Sequence, residues 1–445
     1  MRNLLKISSL FLLLALGLPV AGQQSARLDT FLLLLEKHNK AMGCLKINSA
    51  TGSAYERCFG MARIDKSKKN GPSTIFRIGS VSKTFTAVIV LKLVEQGKLS
   101  LNDRLGQWFP EIENASDITI EHLLRHRSGI YNYTDTSEYD KYYTHLATHS
   151  EMLARITRYG SIFKPGERMH YSNSNYLLLG YIAERITGKD YATLVEEMIA
   201  RPCGLKNTRP GDAADTSTNG ALSYRALTGW VPDPLTHSSV SLGGGSLVSS
   251  PDDLIRFMQC LMNGHLVSSE SLRLMMSMHD GYGMGLVKYP FYEKEVYGHT
   301  GGIDAFRAFV GFLPTDSVYI ALCSNGLAVS LNDILIGVLS IWYGMPYQFP
   351  DFSTAVVDPL LLKRYEGTYI SKQLPLEIRV WEKEGHLMAQ AAGQSEFPLE
   401  AVSDTTFRFT PAQIQMIFDT QGQGFTLRQA GMEFSFTKKQ ISSEH

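Results

Sequence analysis

The sequence predicts an α+β protein that carries a small all-β unit at its C-terminal end. Strand-like segments lie near both ends of roughly residues 25–345, and the stretch between them has the pattern of helices and loops. Beyond about Pro359 the pattern changes to period-two alternation of apolar and polar residues. This distribution indicates one antiparallel sheet flanked by helices, followed by a barrel or sandwich of short strands.

The composition supports two folded domains and excludes a nucleic-acid-binding role. With 445 residues, 44% of them hydrophobic, the chain is too long for one ordinary core and rich enough to bury a large one. Lys plus Arg and Asp plus Glu number 43 each, so no basic field exists for a nucleic acid. We predict a first domain at residues 23–350 and a second at residues 358–445.

Residues 1–22 have the features of a secretory signal peptide. Arg2 and Lys6 form a basic start, an apolar run follows from Leu10 to Leu18, and small residues precede Gln23. The alternative is a membrane anchor, but the apolar run is short for a spanning helix. We therefore predict cleavage, a periplasmic or secreted protein, and no stable membrane anchor after cleavage.

Two strands near the start form a predicted hairpin around a turn at residues 49–53. Cys44 and Cys58 lie equally far from Thr51, so the two sulfurs face each other across the hairpin. Export permits a cross-strand disulfide. We favour the alternative of two buried free thiols, because free Cys packs well as a small hydrophobe. Since the chain has 5 Cys, at least one has no partner within it.

Three further strand-like segments, at residues 288–299, 305–313 and 318–324, complete a predicted antiparallel sheet of five strands. Helical patterns at residues 28–38 and after residue 330 can cover one face of this sheet. The long insertion from residue 76 to about residue 278 can form a helical subdomain on the other face. In the C-terminal segment, Ile378 and Val380 alternate with polar residues, which is typical of a small β-barrel.

The first chemical motif is Ser80-Val81-Ser82-Lys83, at the start of a strongly apolar helical segment. Ser80 and Lys83 are three residues apart and therefore share a helix face. A lysine amine beside that hydroxyl is desolvated, so its pKa falls and it can act as a base. The structural alternative is a serine that caps a core helix and a lysine that extends to solvent, and the short pattern alone favours it.

Two weaker motifs follow along the chain. Tyr171-Ser172-Asn173 comes after a turn, and its tyrosine hydroxyl can relay a proton while its asparagine amide can orient a substrate amide. The segment from His299 through Thr300 and Gly301 to Gly302 ends a predicted strand, where paired glycines let a substrate lie along the strand edge. The alternatives are an ordinary polar loop and a glycine-rich hairpin turn.

Together the three motifs resemble the penicillin-recognising serine hydrolases, which include class C β-lactamases, low-molecular-weight penicillin-binding proteins, and related esterases and D-amino-acid peptidases. The order Ser-x-x-Lys, Tyr-x-Asn and His-Thr-Gly is the order of that family. The segments that frame the motifs match as well: residues 76–79, 123–129, 164–167 and 244–249. The resemblance covers roughly residues 25–345 and implies the β-lactamase/transpeptidase-like fold. The C-terminal segment resembles the lipocalin-like barrel often appended to such enzymes.

The resemblance implies a role for each motif residue. Ser80 attacks a carbonyl and forms an acyl-enzyme, and Lys83 and Tyr171 share the proton transfers, with the identity of the acylation base left open. The N–H groups of Ser80 and Gly302 form the oxyanion hole. Asn173, His299, Thr300 and Gly301 bind substrate. The reaction needs no metal and no organic cofactor.

The implied substrate is a small peptide, a β-lactam or an ester. Most β-lactamases of this family carry Lys where this chain has His299, and His at this position is similar to D-Ala-D-Ala carboxypeptidases and related amidases or esterases, which argues against β-lactamase as the primary activity. We prefer a D-Ala-D-Ala carboxypeptidase-like or D-amino-acid peptidase activity, with an esterase or β-lactamase as the alternative. An unperturbed His titrates near pH 6.5. We therefore expect the site to gain positive charge as the pH falls through the His299 pKa.

Three other interpretations compete with this one. His122 and His126 are four residues apart and could bind a metal, but no Glu follows His122 as a zinc protease motif requires, so we expect structural roles for both. Arg307 could bind a substrate carboxylate, but Arg in strands is more often solvated. A catalytically silent binding protein could keep the fold, although we would then expect the motif residues to be lost.

Overall fold

The computed structural model describes residues 8–211, 219–227, 229–429 and 431–439. The first helix, α1, spans Ser8–Lys37 and includes most of the helix predicted at residues 28–38. Of the predicted signal peptide, residues 1–7 with Arg2 and Lys6 lie outside the described residues. No helix in the described part of the chain is both long enough and apolar enough to cross a membrane.

The central sheet has six strands, one more than the sequence predicted. Its strands are β1 (Ala41–Ser49), β2 (Ala54–Phe59), β3 (Val287–Phe291), β4 (Lys294–Ile303), β5 (Phe306–Leu313) and β6 (Val318–Leu327). Their order across the sheet is β3-β4-β5-β6-β1-β2. The pairs β3–β4, β4–β5, β5–β6 and β1–β2 are antiparallel.

The sixth strand arises because the segment predicted as one strand at residues 288–299 folds into a hairpin. Phe291 pairs with Lys294 across a two-residue turn, and Tyr292 takes a positive φ of 49° there. Tyr292 and Glu293 are not typical turn residues. The sequence pattern therefore gave no signal for a break between β3 and β4.

The N-terminal hairpin places Cys44 directly opposite Cys58, as predicted. The two form a disulfide with their Cα atoms 4.0 Å apart, so the expectation of two free thiols is wrong. Direct opposition on neighbouring strands brings the sulfurs within bonding reach, which outweighs the packing preference of free Cys. A second disulfide joins Cys203 and Cys260, and Cys323 is free and buried.

The insertion from residue 76 to about residue 278 consists mostly of helices and loops, as predicted. The helices after α1 are α2 (Ser82–Glu95), α3 (Ile120–Leu124), α4 (His149–Tyr159), α5 (Asn173–Thr187), α6 (Tyr191–Val195), α7 (Arg201–Cys203), α8 (Ser238–Gly245), α9 (Pro251–Met262), α10 (Ser269–Met276), α11 (Leu331–Trp342) and α12 (Pro359–Arg364). Short strands at Phe76–Arg77, Leu247–Ser249 and Arg209–Pro210 form a small separate sheet.

Helix α2 lies at the centre of the main core and is buried on almost every side. Its buried residues run from Ser82 to Leu91 and include Leu93, which agrees with a segment that is apolar almost all round. The rings of Phe85 on α2 and Phe257 on α9 stack with centroids 3.7 Å apart. Among the buried residues of α2, Lys83 is the one with a charged side chain in water, and this side chain is fully enclosed.

The C-terminal segment forms a closed barrel of eight strands. These are β7 (Gly367–Ile370), β8 (Glu377–Lys383), β9 (His386–Ala391), β10 (Phe397–Ala401), β11 (Thr406–Phe409), β12 (Ile414–Phe418), β13 (Gly424–Gln429) and β14 (Met432–Lys438). Tyr369 pairs with Lys438 and closes the barrel. Its interior is filled by its own apolar cluster, including Val380, Phe407 and Phe418.

The chain divides into two compact units. The first comprises residues up to 36, residues 41–224 and residues 232–326, and it contains the central sheet except for its last residue, Leu327. The second comprises residues 37–40, 225–231 and the chain from residue 327 onward, and it contains the barrel.

The cysteine arrangement predicts a specific thiol count. Four of the 5 Cys are paired and Cys323 is fully buried. In the absence of reductant, a thiol reagent should therefore find no reactive thiol in the native protein and one per chain after denaturation. Three or five thiols in denaturant would contradict one or both disulfides.

Candidate active site

Ser80 lies on a tight turn, Gly79–Val81, that leads directly into α2. Gly79 has a positive φ of 49°, and a Cβ placed on it would lie 2.8 Å from the backbone of Gly302. Only glycine combines this backbone conformation with such a close approach of β4. The glycine before the nucleophile therefore brings the start of α2 and the edge of β4 together.

Lys83 is fully buried, and its amine has three oxygen neighbours. Its Nζ lies 3.0 Å from Ser80 Oγ, 2.7 Å from Asn173 Oδ1 and 2.6 Å from the carbonyl oxygen of Gly244. Burial lowers the pKa of Lys83 well below its ordinary value of 10.5. Burial therefore favours the neutral form of the amine, in which the nitrogen keeps a lone pair.

Tyr171 contacts the same serine from another side. Its hydroxyl lies 2.8 Å from Ser80 Oγ, and its ring centroid lies 4.9 Å from Lys83 Nζ. Burial raises the pKa of Tyr171, although the hydrogen bond with Ser80 opposes that shift. The phenol is therefore protonated at neutral pH. Two residues on, Asn173 begins α5 and points its Oδ1 at Lys83.

The end of β4 forms the opposite wall of the site. A Cβ on Gly301 would lie 1.9 Å from the carbonyl oxygen of Ile78 and 3.3 Å from Ser80 N. The missing side chain therefore lets the strand backbone lie against the nucleophile turn. Thr300 is held by Tyr289, whose hydroxyl accepts from Thr300 N at 3.2 Å and lies 3.3 Å from Thr300 Oγ1.

His299 differs from the sequence-based expectation. Its Nε2 lies 3.0 Å from the hydroxyl of Tyr282, and its Nδ1 contacts the backbone carbonyl oxygen of Thr300. Burial lowers the pKa of His299 to about 3, and a positive charge on Lys83 would act in the same direction. The expectation that His299 adds positive charge near pH 6.5 is therefore wrong, because a buried imidazole beside an amine favours the neutral form.

An open cavity of about 340 Å³ lies over Ser80. Its lining includes the motif residues Tyr171, His299, Thr300 and Gly302 together with residues from other parts of the chain. The latter are Met169, Asp280, Gly281, Tyr282, Val287 and Tyr289. Most of this second group is apolar or aromatic, which suits a small organic substrate held by a few polar groups.

Sequence reasoning missed three contributors to the site. The carbonyl oxygen of Gly244 contacts Lys83 Nζ. From the sequence, residues 244–249 were identified only as a segment that matches the family, with no contact to the lysine. Tyr282 contacts His299, and nothing in the local sequence around it signals a site residue. His126 is fully buried with its ring centroid 4.3 Å from that of Tyr171. The one signal for residues 126 and 244 in the sequence was that they lie in segments 123–129 and 244–249, which match the family around its motifs.

The remaining candidates have structural contacts. His122 Nδ1 accepts from Thr119 N at the start of α3, and across the described residues no three His, Cys, Asp or Glu side chains group as a metal site. Arg307 pairs with Gly302 in the sheet, and its Nη1 donates to the carbonyl oxygens of Asp304 and Phe306.

A buried ion pair links the two walls of the site. Arg77 Nη1 lies 2.8 Å from Asp304 Oδ2, and both side chains are almost completely enclosed. Arg77 precedes the nucleophile turn, and Asp304 follows the end of β4. Asp304 also accepts from the backbone N–H and the hydroxyl of Thr236. These bonds fix the spacing between Ser80 and the glycine edge.

Comparison with known proteins identifies the family. A family model described as Beta-lactamase matches residues 48–333. The chain belongs to the beta-lactamase family. It is therefore a serine hydrolase that acts on an amide or ester and has the β-lactamase/transpeptidase-like fold.

Individual relatives agree with this assignment. Penicillin-binding protein 4* of Bacillus subtilis is 26% identical over 413 residues, which are 85% of this chain and 91% of that protein. The teichoic acid D-alanine hydrolase of Staphylococcus aureus is 26% identical over 254 residues, 55% of this chain and 60% of that protein.

Solved structures agree with the fold as well. The penicillin-binding protein homologue from Pyrococcus abyssi has a TM-score of 0.64 at 24% identity, covering 93% of this chain and 99% of that one. The D-amino acid amidase from Ochrobactrum anthropi SV3 has a TM-score of 0.59 at 26% identity, covering 70% of this chain and 97% of that one.

The state of His299 predicts how the enzyme responds to pH. A pKa near 3 means that His299 stays neutral from about pH 5 to pH 8 and gains a proton only in strong acid. The ratio of kcat/KM for a carboxylate-bearing substrate to that for a neutral ester should therefore show no His step in this range. In His299→Lys the ratio should be higher. A step near pH 6.5 that His299→Gln abolishes would contradict the buried neutral state.

Proposed function

We propose that the enzyme hydrolyses the carbonyl bond of a D-amino-acyl substrate through an acyl-enzyme on Ser80, as a D-Ala-D-Ala carboxypeptidase-like enzyme or a D-amino-acid peptidase. The observation that carries the proposal is the position of Ser80 Oγ, within hydrogen-bonding distance of both a buried neutral amine and a protonated phenol. A serine hydroxyl is a weak nucleophile until a base removes its proton.

Hydrogen-bond accounting supports Lys83 as the base in acylation. A neutral amine has two N–H donors, and the oxygens of Asn173 and Gly244 can only accept, so they take both hydrogens. The lone pair of Lys83 is then left for the Ser80 hydroxyl at 3.0 Å. Ser80 Oγ forms a bond to the substrate carbonyl carbon while its proton moves to Lys83 Nζ.

Tyr171 suits the complementary role of proton donor. Its raised pKa keeps the phenol protonated, and its hydroxyl already donates toward Ser80 Oγ. When the tetrahedral intermediate collapses, the bond to the leaving nitrogen or oxygen breaks and that atom takes the Tyr171 proton. The protonated Lys83 can then return a proton to the phenolate through the serine position. Water reverses these steps to release the acid.

The glycine edge suits stabilisation of the oxyanion. The N–H groups of Ser80 and Gly302 lie on the two surfaces that Gly79 and Gly301 bring into contact, and loss of one such donor typically costs about 3 to 4 kcal/mol of transition-state stabilisation. Thr300 and Gly301 offer the strand edge to the substrate. Asn173 Oδ1 accepts a hydrogen bond from Lys83 Nζ, and Asn173 Nδ2 donates one to Thr134 Oγ1. We therefore assign Asn173 to orienting the lysine amine as well as the substrate amide.

The proposed substrate class rests on the relatives and on the cavity. The chain is similar to a penicillin-binding protein, to a teichoic acid D-alanine hydrolase and to a D-amino acid amidase. These names have in common penicillin or a D-amino acid group as the ligand or substrate. The apolar cavity wall of Met169, Val287 and Tyr289 suits a small side chain on the acyl group. An esterase activity on D-alanyl esters is the second candidate, favoured by the Staphylococcus aureus relative. β-Lactam hydrolysis uses the same machinery.

We also propose that the mature protein is exported and that the barrel at residues 358–445 supplies no catalytic group. The two disulfides support an oxidising compartment. The cavity over Ser80 is lined entirely by residues from 80 to 302.

Substitution of the nucleophile tests the proposal. Ser80→Ala should fold as the wild type does but retain less than a few per cent of its turnover, because no other residue can form the acyl-enzyme. The measurement is turnover of D-Ala-D-Ala peptides, nitrocefin and p-nitrophenyl esters, together with labelling by a fluorophosphonate probe. If wild-type Ser80 is not labelled and no substrate is turned over, the silent binding protein becomes the better interpretation.

Substitution of the base should separate activity from stability. Lys83→Met should reduce turnover to about 0.1% of wild type or less. The unfolded chain protonates Lys83 below its ordinary pKa of 10.5, and the native state does not until a much lower pH. Between these values the unfolded state binds one more proton, so wild-type stability rises with pH by about 1.4 kcal/mol per unit from this group.

Because Lys83→Met lacks that group, its stability relative to wild type should be greatest at low pH and should decline as the pH rises. The measurement is the free energy of unfolding at about pH 6 and pH 9. Ser82→Ala is the matched control, because Ser82 is buried beside Lys83 at the start of α2 and has no titrating group. Parallel pH dependence of wild type and Lys83→Met would show that Lys83 is charged in the folded enzyme.

A further inference from the structure

The segment that carries Tyr171 is held on both sides by one residue, His126. The backbone carbonyl oxygen of His126 accepts from His170 N at 2.8 Å. The side-chain Nδ1 of His126 accepts from Ser172 N at 3.2 Å. Tyr171 lies between these two bonds, and its ring centroid is 4.3 Å from that of His126. One residue therefore fixes the backbone before and after the phenol.

The hydrogen-bond partners of His126 define its tautomer. A backbone N–H can only donate, so Nδ1 is the accepting nitrogen and the proton is on Nε2. Asn175 Nδ2 lies 3.1 Å from the same Nδ1, and Asn175 Oδ1 accepts from Ser128 Oγ at 2.6 Å. His126 Nε2 is buried and has no hydrogen-bond partner among the described residues.

His299 has the opposite tautomer. A backbone carbonyl can only accept, so Nδ1 of His299 donates to Thr300 O and its Nε2 accepts from the hydroxyl of Tyr282. Tyr282 lies against the other histidine, with ring centroids 4.5 Å apart in an edge-on arrangement. His126 and Tyr282 thus lie beside the Tyr171 ring, with ring centroids 4.3 Å and 6.1 Å from it, and His299 holds Tyr282 in turn.

We propose that His126 is a positioning residue for the reaction, which acts through Nδ1 by holding the Ser172 N–H so that the Tyr171 hydroxyl stays aligned on Ser80. This inference rests on the proposed role of Tyr171 in proton transfer. This role requires a hydrogen-bond acceptor at the position of His126 Nδ1. The residue that carries it must also adopt a positive φ, because His126 has a φ of 56°. A displacement of about 1 Å in a catalytic group can cost on the order of 100-fold in rate.

Two substitutions separate the acceptor from simple packing. In His126→Asn the side-chain oxygen occupies the place of Nδ1, and Asn tolerates positive φ. In His126→Gln the side chain is closer to histidine in volume, but its amide lies one carbon further out. If side-chain volume alone mattered, Gln would retain more activity than Asn. The proposal requires the reverse order, with kcat of His126→Gln reduced by about 100-fold and restored to within about tenfold of wild type by Asn.

The same pair of substitutions at His122 provides the matched control. His122 Nδ1 also accepts from a backbone N–H, that of Thr119, but His122 does not line the cavity. His122→Asn and His122→Gln should both keep wild-type kcat. In the His126 variants the loss should appear in kcat and in the rate of Ser80 labelling by a fluorophosphonate, with KM little changed, because Tyr171 acts in the transition state.

A measurement on the wild-type enzyme covers the case in which His126→Gln does not fold. Nitrogen-15 histidine spectra report the tautomer of each imidazole, and the His126 signal is assigned by its loss in His126→Asn. We expect the Nε2–H tautomer for His126 and the Nδ1–H tautomer for His299. An Nδ1–H tautomer at His126, or equal kcat in the Asn and Gln variants, would overturn the inference. Absence of Ser80 labelling in the wild type would instead overturn the proposed function.

Discussion

The burial of one lysine amine is the constraint on which the rest of the site depends. Lys83 lies in a helix that is otherwise apolar on nearly every side, and burial alone lowers its pKa. A charged amine there would be costly, so the fold supplies oxygens that accept from a neutral amine. Those oxygens come from α5 and α8, and both helices pack against α2. The same packing that builds the core therefore prepares the base.

A second constraint is the close approach of the strand edge to the nucleophile turn. Glycines at positions 79 and 301 remove the two Cβ atoms that would collide there. The buried pair of Arg77 and Asp304 holds the two backbones at that distance. An ion pair so deeply buried contributes little net stability once its desolvation is counted. Its contribution is best understood as geometric, because it joins the residues just before Ser80 to those just after Gly302.

The sequence predicted the fold class, the barrel and the motif residues because each depends on local spacing or on a matched family pattern. Ser80 and Lys83 are neighbours on one helix face, and their contact follows from three-residue spacing. The acceptor at Gly244, the contact of Tyr282 and the extra hairpin at Tyr292 were not predicted. The first two are brought in by tertiary packing from distant segments, and the third lacks turn-forming residues. The pKa of His299 depends on burial, which its motif does not encode.

The neutral histidines simplify the electrostatics of the cavity. Burial lowers the pKa of both His126 and His299, so both imidazoles favour the neutral form. Their rings instead act as fixed donors and acceptors, in opposite tautomers, on either side of Tyr282. The proton transfers that we propose then involve Ser80, Lys83 and Tyr171, with Lys83 Nζ and the Tyr171 hydroxyl both within hydrogen-bonding distance of Ser80 Oγ. A family position occupied by a charged lysine in most β-lactamases is here a neutral histidine, and the guanidinium of Arg307 packs beside Gly302.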